Sequence, residues 1–168
     1  YRYFKGDVNK PEVKFQPVMC QHCQHAPCEA VCPVFATAHD SEGLNAMTYN
    51  RCVGTRYCAN ACPYKVRRFN WWTYKWGEIG DLARDRNPHA MNPDVTVRTK
   101  GVMEKCTLCV QRLRETRHTA KVENRRLIDG ELQTACQQTC PSDAIVAGNL
   151  NDAKSQVTAA RNDPRAYL

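Results

Sequence analysis

The sequence predicts an α+β fold assembled from repeats of one small unit, in which a short strand leads into a cysteine-bearing loop and then a short helix. Three observations predict it. Eleven cysteines occur in 168 residues. They fall into three groups of related spacing, and the last cysteine of each group is followed by a proline: Pro33, Pro63 and Pro141.

An odd number of cysteines cannot close entirely into disulfides within one chain, and cysteine at this density points to metal ligation. The formal charge is +7, which would ordinarily suggest an anionic partner. Thiolates bound to metal would bring the loaded chain much closer to neutral. The basic residues are scattered and no recognition motif accompanies them, which argues against nucleic acid as a partner. No apolar run approaches the ~18 residues needed to cross a bilayer; each candidate is broken by Lys, Arg, Asp or Pro. There is no initiator Met and no leader-like segment, so the expectation is a piece of a longer protein, residues 1–168 being one iron–sulfur region of it.

In chain order, "YRYFKGD" is an aromatic run suited to a strand. "CQHCQHAPCEAVCP" follows and carries Cys20, Cys23, Cys28 and Cys32. "EGLNAMTYN" sets Leu44, Ala46 and Thr48 against Asn45, Met47 and Tyr49, as a hairpin strand does, with Gly43 supplying the turn. "RCVGTRYCANACP" then presents Cys52, Cys58 and Cys62, with Thr55 where the spacing C-x2-C-x2-C-x3-C-P requires another cysteine. Residues 11–69 are thus expected to form a core for two clusters. An aromatic and proline-rich insertion spans residues 70–105, expected to pack its rings over the clusters, to dock on a membrane subunit, or to do both.

Residues 106–150 read as half of a second such module. Cys106 and Cys109 lead into a helix in which Leu108, Val110 and Leu113 give way to solvated charges. Asp129 and Gly130 make a turn, Cys136 and Cys140 follow, and "DAIVAGNL" at 143–150 is expected to be a strand equivalent to the one before Cys52.

The spacing has a physical reason. A C-x2-C loop wraps backbone amides around an iron–sulfur cluster, where their N–H groups offset the negative charge on sulfur. A cysteine three residues beyond the loop leaves it and reaches the other cluster. It is expected to open a helix, its following proline having a φ suited to the first turn. This crossover rule assigns Cys20, Cys23, Cys28 and Cys62 to one 4Fe–4S cluster. Cys32, Cys52 and Cys58 go to a second, whose fourth corner faces Thr55. A hydroxyl is a poor ligand for iron, so three thiolates would hold a 3Fe–4S cluster. Cys106, Cys109 and Cys136 need one ligand from outside this chain, and Cys140 needs three. A metal-free loop around Thr55 and a zinc site in the third group remain open alternatives. Lys65, Arg67 and Arg68 follow Cys62 directly and are expected near the three-iron cluster. The five histidines receive no ligand role, and no residue resembles a catalytic base or nucleophile.

"CQHCQHAPCEAVCP", "NPDVTVRTKGVMEKCTLCVQR" and "TACQQTCPSDAI" resemble motifs of the four-cluster, ferredoxin-like electron-transfer subunits of membrane-bound molybdopterin oxidoreductases. The likeness covers almost the whole chain and implies a fold of tandem two-cluster ferredoxin-like modules with long loop insertions. Thr55 narrows it. The polysulfide and dimethyl sulfoxide reductase types usually keep a cysteine there, whereas the threonine form is similar to the iron–sulfur subunit of alternative complex III. That resemblance implies a quinol-oxidising respiratory or photosynthetic complex, with three 4Fe–4S clusters and one 3Fe–4S cluster in the complete protein. It also implies an integral membrane quinol-binding partner, multihaem cytochrome c subunits, the remainder of the chain itself, and a place on the extracytoplasmic face of the membrane. The second reading is the electron-transfer subunit of a molybdopterin reductase.

Overall fold

The computed structural model describes residues 1–72 and 92–166. These divide into two units, 1–107 and 108–168. In the first unit β1 (Arg2–Asp7) and β2 (Lys10–Phe15) form an antiparallel hairpin, with Phe4 opposite Val13 and Arg2 opposite Phe15. Both strands are exposed along their whole length.

The remainder of the first unit alternates very short elements with loops. α1 (Pro27–Ala30) precedes a hairpin of β3 (Thr37–His39) and β4 (Asn45–Met47). After a 3-10 turn at Tyr49–Arg51 comes α2 (Tyr57–Ala61). The strand β5 (Arg68–Phe69) then pairs antiparallel with β6 (Met103–Glu104). Gly43, at a φ of 78°, turns the β3–β4 hairpin as expected. The inward positions of β4 are Asn45 and Met47, while Ala46 is exposed. Ala26, Cys28, Cys58 and Met103 form the buried centre of this unit, which is therefore lined with sulfur.

The second unit contains α3 (Val110–Val122), α4 (Ala135–Gln138) and α5 (Gln156–Arg161). α3 is the solvated helix expected there, burying Leu113 and Ala120. Its N-terminal end is tied to α4 by Arg112, whose Nη1 donates to the Gln133 carbonyl at 3.0 Å and to Gln138 Oε1 at 2.9 Å. The hydroxyls of Thr134 and Ser155 cap α4 and α5, accepting from the N–H groups of Gln137 and Thr158.

Two expectations are corrected. Residues 143–150 form no strand; Asp143 lies at a φ of 49°, which breaks an extended run at its first residue. Nor do Cys32, Cys62 and Cys140 open helices. The short helices lie before them and carry Cys28, Cys58 and Cys136 instead. Each Cys-Pro step enters a single turn, which a left-handed residue ends at once: Phe35, Lys65 and Asp143, at φ of 52°, 54° and 49°. The expectation for the aromatic insertion lies, for residues 73 to 91, outside the described residues.

Candidate iron–sulfur sites

The three cysteine groups share a backbone signature. In each, the residue two places after the first cysteine is left-handed: His22 at 46°, Gly54 at 74° and Leu108 at 53°. Beyond the last cysteine, the N–H groups of Phe35, Lys65 and Asp143 donate to the carbonyls of Cys32, Cys62 and Cys140 at 3.3–3.4 Å. Consecutive residues of alternating hand turn successive N–H groups to one side, a concavity suited to an anionic group.

Several of these amides reach sulfur. Ala36 N–H donates to Cys32 Sγ at 3.2 Å and Ala144 N–H to Cys140 Sγ at 3.3 Å, at the same offset in their loops. Met103 N–H donates to Cys52 Sγ at 3.3 Å, and Ala135 N–H to Cys109 Sγ at 3.3 Å. Burial works against a Cys32 thiolate, but the amides of Ala36, Val34, Thr37 and Phe35 outweigh it and hold the thiol below its ordinary value. For Cys140 the Ser142 hydroxyl is the larger influence, with the Ala144 and Ser142 amides acting in the same direction.

Among the described residues of the first unit, cysteines line two cavities. One is lined by Cys20, Cys23, Cys28 and Cys62, together with Asn45 and Arg67. The other is lined by Cys32, Cys52 and Cys58, with Thr55 beside them. Cys62 from the second motif thus stands among the cysteines of the first, and Cys32 from the first stands among those of the second. Cys106 belongs to the first unit, whereas Cys109, Cys136 and Cys140 belong to the second. Thr134 Oγ1 is 3.2 Å from Cys136 Sγ.

The chemistry of the donor sets fits clusters. Both cavities are walled by soft sulfur donors; backbone N–H groups offset charge on Cys32 and Cys52 in the second, and the Arg67 guanidinium on Cys28 in the first. Among the described residues no three His, Cys, Asp or Glu side chains converge as a single ion requires. Thiolates on separate irons of a cluster have no such requirement.

Arg67 does not sit where its position in the sequence suggests. It is 4% exposed, not solvated, and it lines the four-cysteine cavity instead of the three-cysteine one. Its Nη2 donates to Cys28 Sγ at 3.1 Å and to Asn45 Oδ1 at 2.9 Å. Burial pushes the Cys28 thiol up, and the Arg67 charge and hydrogen bond oppose that. The network continues from Asn45 Nδ2 to Glu29 Oε1, from Glu29 to His39 Nδ1, and from His39 Nε2 to the Cys23 carbonyl. Arg68 is exposed and donates to the Lys65 carbonyl. The cation at the rim of the three-cysteine cavity is Arg56, its guanidinium 5.0 Å from the Phe69 ring and 5.1 Å from the Trp71 ring. Arg56 directly follows Thr55, and its left-handed φ of 64° was not legible from its residue type.

His22 accepts from Asn45 N–H at Nδ1, and burial followed by the Lys105 charge pulls its imidazole down to about 4. It is therefore neutral at neutral pH, with its proton on Nε2.

A family model described as a 4Fe–4S dicluster domain matches residues 11–97. The chain is 39% identical over 160 residues to the menaquinone reductase iron–sulfur cluster-binding subunit of Nitratidesulfovibrio vulgaris, covering 93% of this chain and 60% of that protein. It is 40% identical over 153 residues to a protein of Halobacterium salinarum named for the iron–sulfur component of a dimethyl sulfoxide reductase, covering 91% and 49%. To the Hdr-like menaquinol oxidoreductase iron–sulfur subunit 1 of Archaeoglobus fulgidus it is 35% identical over 164 residues, covering 94% and 54%. The chain thus spans about half to three fifths of the length of these relatives. Their names support the broader expectation of an iron–sulfur subunit in an oxidoreductase, and none of the three is named for alternative complex III. With the matched domain covering more than half of its residues, this chain belongs to the 4Fe–4S dicluster ferredoxin family.

Proposed function

We propose that this chain is the electron-transfer region of an iron–sulfur subunit in a membrane-associated, quinone-linked reductase of the molybdopterin type. The observation that carries the reading is the exchange of cysteines between the two cavities, which gives donor sets of Cys20, Cys23, Cys28 and Cys62 on one side and Cys32, Cys52 and Cys58 on the other. Relatives named for menaquinone, dimethyl sulfoxide and menaquinol enzymes support the setting. Iron–sulfur clusters, when bound, supply one-electron transfer. The chain's own residues supply the thiolates, aim N–H groups at sulfur and line the cavities with apolar groups, Ala26 and Val66 in the first and Ala36 and Met103 in the second.

On this reading the first cavity takes a 4Fe–4S cluster and the second, with Thr55 at its fourth corner, a 3Fe–4S cluster. Cys106, Cys109 and Cys136 contribute to a further 4Fe–4S cluster and Cys140 to another, each completed by ligands outside this chain, in tandem two-cluster modules. The partners are a membrane subunit that binds quinone and a molybdopterin subunit, on the extracytoplasmic face. Thr55 favours a second reading, in which the partners are multihaem cytochromes of a quinol-oxidising alternative complex III. Metal analysis of the complex purified with the full-length subunit separates the two. Molybdenum without covalent haem supports the first, haem without molybdenum the second. A subunit lacking iron and acid-labile sulfide overturns both.

A further inference from the structure

Arg67 is a buried cation with a two-sided position. Its Nη2 donates to Cys28 Sγ at 3.1 Å, in the four-cysteine cavity. Its Nη1 donates to Thr37 Oγ1 at 3.1 Å, and Thr37 lines the three-cysteine cavity. Thr37 Oγ1 in turn donates to Met47 Sδ at 3.3 Å, also in the wall of that second cavity. Asn45 Oδ1 holds the guanidinium from a third direction at 2.9 Å. One planar side chain therefore forms part of the partition between the two sets of cysteines, yet its bond to a cysteine sulfur goes to the first set.

We propose that Arg67 is the positioning residue that raises the reduction potential of a cluster held by Cys20, Cys23, Cys28 and Cys62 relative to its neighbour. This rests on the proposed ligation. One electron entering such a cluster adds negative charge to its sulfurs without making or breaking a bond. A fixed guanidinium hydrogen-bonded to one of those sulfurs stabilises the reduced state more than the oxidised one. Burial keeps water from screening the charge. The second set receives a backbone N–H on Cys52 Sγ, from Met103, and one on Cys32 Sγ, from Ala36. Those donors carry no net charge, and Arg56 at the rim of the second cavity stacks on Phe69 and Trp71, so the guanidinium bond to a cysteine sulfur is a feature of the first set.

The test is a redox titration of the full-length subunit in its complex, followed by low-temperature electron paramagnetic resonance, with iron and sulfide quantified in every sample. The signal that Cys28→Ser alters identifies the cluster of the first cavity. Arg67→Gln keeps a hydrogen-bond donor and removes the charge. At an ambient potential equal to the wild-type midpoint, its reduced-to-oxidised ratio should fall about tenfold at that cluster, a shift of 59 mV for a one-electron couple. The near-isotropic three-iron signal should keep its midpoint. If Arg67→Gln does not load iron, Arg67→Lys is read instead, and a smaller shift of the same sign is expected because the charge stays while the planar grip is lost. A wild-type midpoint in a fully loaded variant overturns the proposal, as does an equal shift of every signal. Loss of iron from both variants overturns it in favour of an assembly role. A wild-type subunit without clusters refutes the ligation itself, which is a different failure.

Discussion

Replacing Gly54 with alanine should remove the three-cysteine site while sparing the other. Gly54 sits between Cys52 and Thr55 at a φ of +74°, and a Cβ built there would lie 2.3 Å from the Gly101 carbonyl oxygen and 2.9 Å from Phe69 Cε2. Two costs add. An L-residue in the left-handed region costs roughly 1–2 kcal/mol, and forcing an atom into filled space typically costs about 1–3 kcal/mol. The backbone cannot easily retreat, because Gly101 N–H donates to the Asn70 carbonyl at 2.8 Å and Asn70 N–H donates to the Val102 carbonyl at 2.8 Å. Any outward movement of Gly101 carries Met103 with it, and Met103 N–H is the donor to Cys52 Sγ. The expected loss is therefore on the order of 2–5 kcal/mol, which at a urea dependence of about 2 kcal/mol per molar moves the midpoint down by roughly 1–2.5 M. The assay is urea unfolding of the full-length subunit, followed by cluster absorbance and by the amplitude of the three-iron signal. Gly43→Ala is the control: its φ is +78° but nothing lies within 4 Å of the added carbon, so only the roughly 1–2 kcal/mol conformational cost applies. Gly54→Ala protein that loads iron fully and unfolds at the control's midpoint would refute the steric argument.

Thr55→Cys supplies the missing thiolate, so the near-isotropic signal of an oxidised three-iron cluster should give way to a four-iron spectrum; persistence of the signal would refute the assignment of that corner. Cys62→Ser tests the crossover: the cluster lost should be the one that Cys28→Ser also disturbs, and loss of the three-iron signal instead would reverse the ligand map. In the second unit, Thr134 is 1% exposed and its hydroxyl caps α4. Thr134→Ala should cost about 1–2 kcal/mol of local stability, read as faster amide hydrogen exchange at Gln137, whereas Thr134→Ser should restore protection.

The residues that the sequence made legible are those whose chemistry is local. The left-handed residue two places after the first cysteine recurs in all three groups, because C-x2-C spacing constrains a few consecutive peptide units. The solvated helix at Val110–Val122 followed from its charge pattern, and the turn at Gly43 from its residue type. What failed depended on contacts distant in sequence or on unfavourable backbone states. Arg67 reads as one of three cations near the three-cysteine site until the fold sets it against Cys28, 39 residues away. Phe35, Lys65 and Asp143 give no warning that they adopt positive φ, and that hidden step turns an expected helix start into a closed turn. α5 and its Ser155 cap carried no signal strong enough to be singled out.

The scarcity of buried apolar side chains has a further consequence. Several of the most enclosed side chains, Asn45, Thr37, Thr134 and Ser155, are polar, and each sheet among the described residues has two strands. Two-stranded hairpins are at best marginally stable in water on their own. Left-handed residues that are not glycine add conformational cost at every cysteine loop. A chain of this kind has little hydrophobic reserve, and metal that binds only the ordered loops contributes directly to the folding equilibrium. On the proposed ligation, iron supply should therefore act on abundance, and newly made chains that meet iron late should be the ones proteases remove.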